Sequence, residues 1–162
     1  MPDLIHELLL HSAQKAPRQE ALAYQGNRLD YGTLAAQVSA CAAGYLGLGL
    51  GRSERVAVYL EKRFETVIAM FGTAAAGGVF VPVNPLLKPD QVAYILQDCN
   101  VRILVTSPER LALLADALPG CTDLRAAITV GPKGARARLT FSGWRPVVAM
   151  GRRAFSVAPV FG

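Results

Sequence analysis

Apolar positions along the chain follow first a helical and then a strand rhythm, and the change between the two marks out the elements. Residues 3–16 place Leu4, Ile5, Leu8, Leu9 and Ser12 on one side of a helix that Pro17 ends. Residues 21–24 and 27–30 read as two short strands around Gln25-Gly26, a hairpin signal. Residues 33–46 predict a helix with Leu34, Val38, Cys41, Ala42 and Tyr45 inward. It runs into Gly47-Leu48-Gly49-Leu50-Gly51, where a glycine can take the left-handed cap.

From Val56 the pattern becomes regular. Strands are predicted at 56–60, 79–83, 102–105 and 126–130, and helices at 63–76, 89–98 and 108–118. Gly77-Gly78 closes the first of these helices, Pro89 opens the second, and Ser107 is placed to cap the third. The strands lack a polar face, the mark of strands covered on both faces, and 79–83 is read as buried like the rest. Strands alternating with helices predict an α/β fold: a partial doubly wound, mostly parallel sheet with helices on both faces.

After Val130 the rhythm stops. Residues 1–123 hold all twelve acids against ten Lys and Arg, a net charge of −2. Residues 124–162 hold Arg125, Lys133, Arg136, Arg138, Arg145, Arg152 and Arg153 and no acid, a net of +7. The overall charge of +5 is therefore a property of the tail, and the body lacks the basic, aromatic-bearing face that nucleic acids require. The expected division is 1–130 as one folded unit and 131–162 as an atypical basic tail, disordered or translated out of frame. A shifted frame in a GC-rich gene gives such an Arg-, Gly-, Ala- and Pro-rich composition, whereas a natural linker usually carries Ser, Glu or Lys.

Candidate chemistry is sparse. Cys41, Cys99 and Cys121 form no CxxC and read as small buried hydrophobes in a reducing compartment. His6 and His11 are five apart, the wrong spacing for two ligands on one helix face. The N-terminus lacks the basic and apolar regions of a signal peptide, so a cytoplasmic location is expected. The apolar stretch 64–83 contains Glu65, Gly77-Gly78 and Pro82, and reads as helix, turn and strand instead of a membrane span. Gly47, Gly49 and Gly51 are spaced GxGxG and follow a helix, whereas a dinucleotide loop is GxGxxG and follows a strand. Gly131-Pro132-Lys133-Gly134 lacks the run of hydroxyls and amides that cradles phosphate. Glu61, Lys62, Arg63 and Glu65 sit where a strand enters a helix; this junction is eligible for ligand binding, though charged helix starts are commonly just solvated.

Several segments resemble a known family. Leu29-Asp30-Tyr31-Gly32-Thr33-Leu34 is similar to the L-[TS]-Y-x-E-L motif of AMP-forming adenylating enzymes, with Thr33 in place of Glu. Gly49 to Val58 resembles G-[VL]-x-x-G-D-R-V-A, and Ala74 to Pro85 resembles K-A-G-A-x-x-V-P-L-[ND]-P. Residues 91–105 continue the match with a helix and a strand ending in Leu104-Val105-Thr106. Within that family the likeness is to the N-terminal segment of bacterial acyl-CoA ligases, of the kind found beside exosortase systems.

The resemblance implies adenylation of a small-molecule carboxylate by ATP with Mg²⁺, then capture of the acyl group by the thiol of coenzyme A. It implies neither a nucleic-acid partner nor a membrane span. The family's phosphate loop, adenine-binding motif, ribose-binding Asp and catalytic Lys come later in the family's order; Gly131-Pro132-Lys133-Gly134 echoes the end of the phosphate loop but lacks the upstream hydroxyls and follows Val105 too soon. No catalytic, cofactor-binding or metal residue is therefore assigned, and the expectation is an inactive ligase segment. The alternatives are a self-standing α/β binding module and, behind it, an acidic-surface or nucleic-acid binder acting through the tail.

Overall fold

The computed structural model describes residues 4–131 and the backbone of 148–150. Expectations for the tail, including the Pro132-Lys133-Gly134 turn, fall outside the described residues except at those points.

The first part of the chain builds an outer layer. Helix α1 (Ile5–Lys15) leads into strands β1 (Glu20–Tyr24) and β2 (Asn27–Asp30), which pair antiparallel. Gln25 and Gly26 both have positive φ, 50° and 76°, as a tight two-residue hairpin turn requires. Helix α2 (Tyr31–Gly47) starts two residues before Thr33, because the Asp30 carboxylate accepts the Thr33 amide at 2.7 Å and fixes the N-cap there. The predicted apolar face of α1 is only partly used. Leu9 is buried, but Leu4, Ile5 and Leu8 are exposed, because the side against α2 and α3 is centred on Leu9 with His6, Leu10 and Ala13 half-buried around it.

The remainder is the sheet and its helices: β3 (Arg55–Tyr59), α3 (Phe64–Ala75), β4 (Val79–Pro82), α4 (Pro89–Asp98), β5 (Val101–Thr106), α5 (Pro108–Leu113), β6 (Ala126–Val130) and the backbone of β7 (Val148–Met150). Their spatial order is β4-β3-β5-β6-β7 and every pair is parallel. The α/β, parallel-sheet expectation is met. Alternate residues of the same strands serve two cores. Val56, Val58, Ile103, Val105, Ile128 and Val130 face α1, α2 and α3, joined by Leu34, Val38, Cys41, Tyr45 and Ile68. Ala57, Tyr59, Leu104 and Ala127 face the other side, joined by Val92 and Leu96 of α4 and by Leu111, Leu114 and Leu118.

Two expectations are corrected. Strand β4 is not buried: Val79 is 48% exposed, since among the described residues β4 has a neighbour on one side only. Pro82, which offers no amide, is tolerated at such an edge. Helix α5 ends at Leu113 and not at 118. The chain tightens through a turn into a 3₁₀ segment, Leu118–Gly120. Ser107 caps α5 as expected, its Oγ accepting the Arg110 amide at 3.3 Å.

Ionic contacts knit the amino edge of the sheet. The β3–β5 register passes from Arg55↔Val101 to Val56↔Ile103, leaving Arg102 as the extra residue of a bulge. Arg102 pairs with Asp123 and donates to Glu54 at 3.2 Å. Glu54 also accepts the Gly51 amide at 2.8 Å and Arg125 at 2.8 Å. The Gly51 amide, and after it Arg125 and Arg102, hold the Glu54 carboxyl below its ordinary value of 4.5, burial opposing them. The Asn100 amide and Arg102 lower Asp123 likewise. Because the folded pKa values lie below the unfolded ones, this stabilisation is fully present above the ordinary carboxylate range and is lost as pH falls through the folded values. Glu54→Gln is expected to cost about 1–2 kcal/mol at pH 7. Urea midpoints measured from pH 7 down to pH 3 check this: the variant's deficit should shrink toward the acid end.

Candidate functional site

Ligands of open parallel sheets sit at the carboxyl edge, where strand order reverses. Here the reversal lies between β3 and β5, since the chain goes from β3 outward to β4 and returns past β3 to β5. The loops at that edge are Leu60 to Arg63 after β3, Val83 to Lys88 after β4, and the turn at Ser107 after β5. The charged group expected at 61–65 is therefore on the right edge.

Protein contacts occupy much of this edge. The Thr106 hydroxyl donates to the Tyr59 carbonyl at 3.0 Å, joining the two strand ends at the reversal itself. Arg63 donates to Glu65 at 2.9 Å, and the Thr66 hydroxyl donates to the Glu61 carbonyl at 2.7 Å. Glu61 is paired with Arg110 of α5 at 2.8 Å. The Arg110 guanidinium also lies 4.9 Å above the Tyr59 ring and donates to the Pro85 carbonyl at 2.5 Å. The neighbouring Glu109 carboxyl is lowered first by its own backbone amide, then by the Ser107 hydroxyl, with Arg63 and Arg110 adding to this. Of the four residues singled out in the sequence, Glu61 meets Arg110, and Arg63 meets Glu65. Arg110 carried no sequence signal: it lies 49 positions from Glu61, and only the return of the chain from β4 to β5 brings them together.

Other candidates resolve into structure. The Gly47–Gly51 run lies at the amino edge, opposite the ligand edge. Gly49 has φ of 78° and caps α2, with the Leu50 amide returning to the Tyr45 carbonyl at 3.0 Å. Burial pushes the Cys41 thiol up to about 12 and raises Cys121, so both are protonated and poor nucleophiles at neutral pH. Cys99 is half-buried, and no two of the three cysteines are bonded. Among the described residues no group of three His, Cys, Asp or Glu could hold a metal ion. No helix among them is long and apolar enough to cross a membrane.

Comparison with known proteins places this geometry. The profile of the family described as AMP-binding enzyme matches residues 9–146, running past Gly131 into the basic tail. Tyrocidine synthase 3 of Brevibacillus parabrevis is 33% identical over 133 residues, 80% of this chain and 2% of that protein. Sulfoacetate–CoA ligase of Cupriavidus necator is 36% identical over 93 residues, 57% of this chain and 18% of that protein. The chain thus spans a small part of each. The structure of the anthranilate CoA ligase AuaEII in complex with anthranoyl-AMP superposes with a TM-score of 0.75 over 80% of this chain and 25% of that one. At 24% identity, that likeness speaks for the fold. Motif order, sheet topology and profile agree, and the chain belongs to the AMP-binding enzyme family, as a segment homologous to acyl-CoA ligases and nonribosomal peptide adenylation enzymes.

Proposed function

We propose that this chain supplies the first parallel-sheet lobe of an ATP-dependent acyl-CoA ligase and does not catalyse by itself. In the reaction of the whole enzyme a carboxylate oxygen attacks the α-phosphorus of ATP and pyrophosphate leaves. The thiol of coenzyme A then displaces AMP from the acyl-adenylate, giving the thioester. Such chemistry rests on positioning and on stabilising phosphoryl charge with Mg²⁺ and directed donors. The observation that carries the proposal is the family match over residues 9–146, joined to a carboxyl edge where Glu61 is paired with Arg110 and Arg63 with Glu65. In that role, Thr106, Tyr59 and Arg110 fix the loop ends against which the rest of an adenylating enzyme packs.

The test is ATP–pyrophosphate exchange by the purified 162-residue chain with Mg²⁺ and a panel of fatty, aromatic, sulfonated and amino acids. No exchange above the buffer rate is expected with any of them. Exchange with one acid would overturn the claim of inactivity and name the substrate class. Should it be an amino acid, the nonribosomal peptide relatives would be the better guide.

A second reading is a self-standing α/β binding module without catalysis. It is favoured by the two cores, one on each face of the sheet, that form within the described residues. Light scattering and urea unfolding separate the two: a monomer that unfolds in one cooperative step favours the module, and an aggregating chain sinks it.

A further inference from the structure

The segment Asn84-Pro85-Leu86-Leu87-Lys88 crosses from β4 to α4 over the carboxyl edge. Its ends are fixed. The Val83 amide bonds to the Val58 carbonyl at 3.0 Å, and Pro89 opens α4. Its own shape is set by a local turn in which the Asn84 side chain accepts the Leu86 amide at 2.9 Å. Leu86 stands 87% exposed at the tip, while Leu87 packs against the α4-side core.

Two side-chain donors hold the segment to the sheet. The Tyr59 hydroxyl donates to the Leu87 carbonyl at 3.1 Å, and Arg110 donates to the Pro85 carbonyl at 2.5 Å. These donors are not independent, because the Arg110 guanidinium stacks on the Tyr59 ring at 4.9 Å. Each orders the other, so the two tethers hold or release together. The Arg110 side chain is 17% exposed, whereas its partner Glu61 is 73% exposed. The tether to Pro85 is sheltered, and the pairing with Glu61 lies in water, where it is worth little.

We propose that residues 84–88 form a strap that opens and closes over the carboxyl edge, with Arg110 as its catch. Closed, the strap covers the ends of β3 and β4. Open, it frees the Tyr59 hydroxyl and the strand ends beneath it and lifts the Leu87 side chain off the α4-side core, while the sheet is left intact because no sheet hydrogen bond passes through the strap. Local openings of this kind are governed by the few contacts that close them, not by global stability. The inference concerns this chain's own conformation and stands whether or not the chain exchanges pyrophosphate.

Hydrogen exchange on the full 162-residue chain tests it, comparing the amides of Leu86 and Leu87 with those of β5. In Arg110→Ala the strap amides are expected to exchange about tenfold faster, the factor that one lost hydrogen bond of ordinary net strength gives, while β5 amides change less than about twofold. Tyr59→Phe keeps the ring and loses the hydroxyl, so a smaller acceleration confined to the strap is expected. Glu61→Gln should leave the strap at its original rate. Arg110→Lys keeps the charge and loses the planar stack. It should open the strap in part, and it keeps the test alive if the alanine variant fails to fold. Strap amides unmoved in Arg110→Lys and Tyr59→Phe would overturn the proposal. So would strap and β5 amides accelerated by one common factor, which would make Arg110 a contributor to global stability alone.

Discussion

Gly72→Ala is expected to destabilise the fold by about 2–3 kcal/mol, although alanine is the better helix former by about 1 kcal/mol. Gly72 lies in α3 where it crosses α2. A Cβ built there would stand 2.6 Å from the Cys41 sulfur and 2.7 Å from the Cys41 Cβ. Carbon atoms in contact prefer about 3.5–4.0 Å, so the helices must separate. Separation would disturb Tyr45, fully buried one turn along α2, whose hydroxyl reaches the Ala69 carbonyl at 3.4 Å. Gly47, the last residue of α2, is the control: a Cβ there meets nothing within 4 Å, so Gly47→Ala should be neutral or stabilise by about 0.5 kcal/mol. Urea midpoints compare the two. Cys41→Ala on the Gly72→Ala background should recover only part of the loss, because the Cβ of residue 41 remains. Full recovery would mean that the sulfur alone sets the helix spacing.

Leu104→Ala is expected to cost about 3 kcal/mol, within the usual span for a leucine removed from a packed interior. Leu104 has no exposed surface and belongs to β5, between β3 and β6, with its side chain in the α4-side core. Strands on both sides leave little room to relax into the cavity, which keeps the cost high. Leu86→Ala removes the same atoms from a side chain in water and should stay within about 0.5 kcal/mol. Thermal or urea unfolding of the pair is decisive: equal losses would place Leu104 outside the core that holds the sheet together.

The element order was legible in the sequence because each piece obeys a local rule. Helix α4 and strand β6 fall at the expected bounds, marked by Pro89 and by a short run without a charged residue. The errors lie where a neighbour decides. Strand β4 reads like β3 in composition, and only its edge position exposes Val79. Helix α1 shows a wide apolar stripe, and only its docking onto α2 and α3 selects Leu9 over Leu8. For the carboxyl edge, Glu61 and Arg63 could be found from the strand-to-helix junction. Arg110 could not, because nothing local distinguishes an arginine on a solvated helix from one stacked on a distant tyrosine.

By itself the sequence determined the alternation of strands and helices, the caps, the hairpin turn and the family, all properties carried by neighbouring residues through backbone preference and apolar period. Tertiary structure alone decided the strand order, the split of each strand between two cores, the close crossing at Gly72 and the catch at Arg110. Those depend on pairs far apart in the chain, and their energy exists only once loop closure has brought the partners together.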